Sequence, residues 1–77
     1  MNWKNELDVG TESEVITNFY TGESCTLTPE SVAVYDFIKG SEVLLNNNYS
    51  EEIGNQFYEA LSYFQEKWPN EYMLLLD

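Results

Sequence analysis

One cysteine and no histidine in a chain of 77 residues remove the two staples on which domains of this size commonly rely. Cys25 has no second cysteine to pair with inside the chain. A zinc site built from Cys and His needs four donors, and one thiol cannot supply them. A chain this short buries only roughly 60% of the surface it exposes when unfolded. It must therefore hold itself together with a dense side-chain core, with a second copy of itself, or with both. Aromatic residues at 16% and hydrophobic residues at 43% provide the material for a core and argue against an unstructured acidic tail.

Charge sets the next limit. Fourteen acids face three lysines, with no arginine, for a net charge of -11. That balance excludes direct binding to nucleic acid, which needs a basic footprint, and disfavours anionic membranes. The natural partner is a basic protein surface, although simple solubility is an alternative reason for such a composition. Met1 to Gly10 lacks the basic start and apolar run of a signal peptide. No stretch approaches the ~20 apolar residues of a membrane span, and a lone thiol suits a reducing compartment. The expected location is the cytoplasm.

The hydrophobic pattern divides the chain near Thr28 into a polar arm, residues 1–27, and a helical part, residues 28–77, within a single domain overall. Thr28-Pro29-Glu30 reads as a helix start: a capping hydroxyl, a proline at the first helical position and an acid against the positive helix end. Leu27 is placed to staple back onto the first turns. From Pro29 to about Leu45, Val34, Phe37, Ile38, Ser41, Leu44 and Leu45 share one face. Gly40-Ser41 suggests a close helix crossing. Val32 and Val43 fall off that face and would lie either under the arm or in an interface.

Ser50 caps a second helix whose Ile53, Phe57, Ala60, Leu61, Phe64 and Trp68 form an apolar stripe. Trp68-Pro69 stops it. A short third helix follows from Asn70 to Leu76, and its Met73-Leu74-Leu75-Leu76 run is expected to pack on the first two. In the arm, Glu14 to Tyr20 and Cys25 to Leu27 read as two strands about a turn at Thr21–Ser24, with an irregular or partly helical arm as the alternative. The expected fold is thus mainly α: two antiparallel amphipathic helices and a short C-terminal helix, with an N-terminal arm or β-hairpin.

Nothing in this pattern assembles a nucleophile with a base. Histidine is absent, Cys25 has no cationic neighbour in sequence, and there is no glycine-rich phosphate loop. The chain is expected not to be an enzyme and to need no cofactor; a carboxylate-bound metal in a regulatory subunit is a weaker alternative. The remaining signal is a row of acids. Glu52, Glu59 and Glu66 recur every seven residues on the side away from the apolar stripe, about 10 Å apart. Glu51, Asp36 and Glu42 are further candidates, and Tyr58 and Tyr63 flank the stripe where an interface rim would form.

Leu27-Thr28-Pro29-Glu30, Tyr35-Asp36-Phe37-Ile38-Lys39-Gly40, Ala60-Leu61-Ser62-Tyr63-Phe64, Trp68-Pro69-Asn70-Glu71-Tyr72-Met73 and Leu75-Leu76-Asp77 resemble a family of short bacteriophage proteins of unknown function. The resemblance covers about the last fifty residues. It implies a phage origin and an early role directed at the host, and it transfers no catalytic residue. Among small acidic phage proteins, some inhibitors of uracil-DNA glycosylase place a Glu-Ser-Ile stretch on an edge strand near an apolar pocket. Glu23-Ser24-Cys25 and Glu30-Ser31-Val32 are partial counterparts, the second at a helix start. The expected function is inhibition of a basic, DNA-binding host protein by mimicry of DNA. A scaffold or assembly role is the alternative, and a homodimer is expected in either case.

Overall fold

The computed structural model describes residues 3–76. Met1, which begins the stretch read for a signal peptide, and Asp77, which ends the family resemblance, lie outside them. A 3₁₀ turn at Trp3–Glu6 leads to strand β1 (Glu14–Thr17) and strand β2 (Ser24–Leu27), followed by helices α1 (Pro29–Asn47), α2 (Glu51–Lys67) and α3 (Pro69–Leu75). The fold is mainly helical, preceded by an antiparallel β-hairpin. Among the described residues, no helix is long and apolar enough to cross a membrane.

Both long helices start where their capping residues dictate. Thr28 accepts a hydrogen bond from the Ser31 N–H through Oγ1 (3.3 Å), and the Ser31 hydroxyl donates to the Thr28 carbonyl (3.0 Å). Ser50 accepts from the Ile53 N–H (3.4 Å). Each bond satisfies an N–H that the helix itself leaves without a partner. Asn48 to Ser50 are all that separate α1 from α2, so the helices return antiparallel. The far ends confirm it: the Tyr63 hydroxyl donates to Glu30 Oε1 (2.8 Å), joining the end of α2 to the start of α1.

The hairpin pairs Glu14 with Leu27, Val15 with Thr26, Ile16 with Cys25 and Thr17 with Ser24. Alternation along the strands turns Ile16, Cys25 and Leu27 to the helices. Thr17 and Ser24 face outward and share a hydroxyl–hydroxyl bond (2.8 Å). Strand β1 stops at Thr17, short of the expected Tyr20, because Asn18 starts the turn. Its side-chain oxygen accepts from the Tyr20 N–H (2.8 Å), its amide N–H donates to the Glu23 carbonyl (2.8 Å), and Gly22 closes the turn at a φ of 78°. The Asn18 side-chain amide then donates to the Leu74 carbonyl (2.8 Å), fastening the turn to α3.

Trp3, Leu27, Val32, Val34, Ile38, Ala60, Phe64 and Leu75 make the buried core. Trp3, from the stretch read as a polar arm, is only 3% exposed. It stacks on Phe37 (centroids 5.4 Å apart) and meets Tyr63 edge-on (5.6 Å). The described parts of both segments, residues 3–27 and 28–76, thus contribute to one core.

Of the two valines off the core face, Val32 lies under the N-terminal segment and Val43 is exposed. Three expectations need correction. Leu44 is exposed, since the hairpin and the 3₁₀ turn cover the first half of α1 and its last turns run beyond them. Gly40 marks no helix crossing, because a Cβ there would meet nothing within 4 Å. Finally, α3 has α2 and β2 as its main neighbours rather than both long helices, and Met73 points to solvent.

Candidate protein-binding surface

The heptad spacing of Glu59 and Glu66 places them on one side of α2 together with Ser62 and Tyr63. Against that side lies the 3₁₀ turn, drawn in by burial of Trp3. Between the two opens a broad concavity of about 800 Å³, lined by Trp3, Lys4, Tyr58, Glu59, Ser62, Tyr63 and Glu66. Four of the eight residues singled out in the sequence therefore meet there: Tyr58, Tyr63, Glu59 and Glu66. Glu52 and Glu51 are exposed at the start of α2, with Glu52 about 10 Å along the axis from Glu59.

Asp36 and Glu42 lie elsewhere. Asp36 borders a hollow beside α1 with Asp8, Glu12 and Glu14. Glu42 borders a groove with Tyr35, Lys39 and Phe57, overhung by the hairpin turn. They share α1 but not a face with the Glu59 row, so the six acids do not form one site.

Tyr63 is the hinge of the concavity. It is half-buried rather than at a free rim, with Trp3 and Trp68 edge-on at 5.6 and 5.9 Å. The Lys4 ammonium lies 4.3 Å from its ring centroid and that of Lys67 5.4 Å. Lys67 also pairs with Glu30 at 3.7 Å. Hydrogen bonding to Tyr63 first, and then the Glu30 carboxylate, raise the Lys67 ammonium above its ordinary value. The third cation, Lys39, sits 5.8 Å from the Tyr35 ring. All three lysines are thus held against aromatic faces, where the ring quadrupole attracts them. Three cations cannot neutralise fourteen carboxylates wherever they sit.

Sequence reasoning missed Trp3, Lys4 and Ser62, which complete the concavity. Trp3 belongs to no periodic pattern, and only its size and apolarity in a polar stretch could have drawn attention. It also missed that Phe19 and Tyr20, at 95% and 100% exposure, project from the hairpin turn. Burial first, and then the Glu71 carboxylate, push the Cys25 thiol above its ordinary value, which keeps it neutral. Among the described residues no three Cys, Asp or Glu side chains are grouped to hold a metal ion.

No family model matches the chain, and neither a curated protein nor a solved structure matches it.

Proposed function

We propose that the chain acts by binding a basic protein, and that it inhibits this partner by occupying the surface where nucleic acid would lie. The observation that carries the reading is the side of α2 on which exposed Glu59 and Glu66 flank an open concavity beside Tyr58, with Glu52 two turns away. Carboxylates fixed on a helix meet lysines and arginines already arranged for phosphates. Long-range attraction speeds the encounter, and the aromatic contacts add affinity that exposed charge alone does not. Following the resemblance to short phage proteins, the partner is a bacterial host protein.

The test is capture of partners from a bacterial lysate at low and high salt, with duplex DNA as competitor. Binding is expected to fall steeply with salt and to be displaced by DNA. Glu52→Lys/Glu59→Lys/Glu66→Lys should abolish it with the melting temperature unchanged, since all three residues are exposed. A partner that binds the triple variant unchanged, or holds DNA and this chain together, would leave a scaffold role in front. Self-association, the other proposal from sequence, would use Phe19 and Tyr20 and would strengthen with salt as the charge of the two copies is screened.

A further inference from the structure

We propose that the concavity between α2 and the 3₁₀ turn is a receptor for one arginine side chain of the partner. This rests on the reading above and names the group that the acidic surface grips. The floor is Ser62, a small side chain with Glu59 three residues before it and Glu66 four after. A larger residue there would fill the space. A cation over Ser62 lies about 4.5 Å and 6 Å along the helix axis from the two acids, within the field of both.

The walls are aromatic. Tyr58, 68% exposed, offers a ring to the open side, and Trp3 and Tyr63 close the inner side. The chain's own Lys4 shows what the inner wall accepts: its ammonium stands 4.3 Å from the Tyr63 centroid and 5.9 Å from that of Trp3. Lys4 places one cation against this wall, and the same open concavity is lined further by Ser62 and by Tyr58, which is exposed.

Guanidinium fits that further lining better than ammonium. It is planar and weakly hydrated, so it stacks on a ring while directing its N–H groups to carboxylates in its own plane. The concavity is open along one side, which suits a side chain reaching from a larger surface rather than an enclosed free molecule.

The experiment is titration of the full chain with N-acetyl-arginine amide, followed by NMR shifts of the Tyr58 and Tyr63 side chains. N-acetyl-lysine amide and the neutral isostere N-acetyl-citrulline amide serve as comparisons. Arginine is expected to give saturable shifts, with lysine about threefold weaker and citrulline about tenfold weaker. Tyr58→Ala, and Glu59→Gln with Glu66→Gln, should each weaken the arginine probe about three- to tenfold. Glu12→Gln, on another face, should leave it unchanged. Absence of a saturable shift, citrulline as good as arginine, or insensitivity to Tyr58 and the two acids would overturn the receptor; lysine equal to arginine would overturn the guanidinium assignment. A chain that ignores the probe yet binds polylysine in a manner dependent on Glu52, Glu59 and Glu66 would sink this inference while the acidic-surface reading stands. A chain that takes the probe but captures no basic partner would do the reverse.

Discussion

Phe57 and Phe64 lie on the same apolar stripe of α2, and their sequence pattern gives no reason to rank them. Phe64 is wholly buried, with the rings of Tyr35 and Trp68 at 6.5 and 5.1 Å. Phe57 is half-buried and packs edge-on against the exposed Tyr58. Deleting a ring costs both the area it removes from water and the cavity it leaves. Phe64→Ala is therefore expected to cost about 3–5 kcal/mol, and Phe57→Ala about half of that or less, in proportion to the smaller area lost. Urea titration of both variants measures the difference; equal losses would mean that the two rings are equally deep. The sequence pattern cannot rank the two because a 3.6-residue period reports a direction on the helix and not a depth. Trp3 was illegible for a related reason. Its partners Phe37 and Tyr63 lie 34 and 60 positions along the chain, and no local pattern announces them.

At the scale of elements, what could be read was what is decided within four residues. Thr28, Pro29 and Ser50 set two helix starts through bonds to their own first turns, and Trp68-Pro69 set a stop. Gly22 similarly fixed the hairpin turn, where a left-handed backbone favours glycine. The docking of α3 on β2, and of the 3₁₀ turn on α2, depends on contacts across most of the chain and could not be read. For the same reason the sequence could name the Glu59 row but not the concavity beside it. Gly40 is the element-level error with a measurable consequence. It stands in the interior of α1 with open space where a Cβ would go. Gly40→Ala is expected to stabilise the protein by about 0.5–1 kcal/mol, through the entropy of the unfolded chain and helix propensity. A lower midpoint in urea would show that the position does need glycine.

The whole molecule responds to pH in one direction at the alkaline end. Burial raises both the Cys25 thiol and the Tyr35 hydroxyl, and nearby carboxylates add to each. Lys67 is raised by Tyr63 and Glu30, though its exposure keeps its contribution small. In each case the folded value lies above the unfolded one, so the fold retains protons that the unfolded chain has released. Stability from these groups is fully present below about pH 7.5, where even a free thiol is largely protonated, and is lost as pH rises through the folded values. Thermal melts between about pH 7 and pH 11 should show a falling midpoint, beginning in the thiol range and steepening in the tyrosine range. Cys25→Val should remove the earliest part of the fall, and a midpoint that rises over this range would contradict the assignment.

The bond from Asn18 to the Leu74 carbonyl spans 56 positions, and it orders events during synthesis. A ribosome adding about 5–20 residues per second makes Leu74 roughly 3–11 s after Asn18. For that interval the hairpin has α1 to pack on but lacks the helix that fastens its turn, and a two-stranded hairpin is marginal in water without such support. Phe19 and Tyr20, already made, then belong to a nascent segment without its mature support. The turn at Asn18 is therefore fastened only once α3 has been made, and a stop a few codons before Leu74 would leave it without that bond.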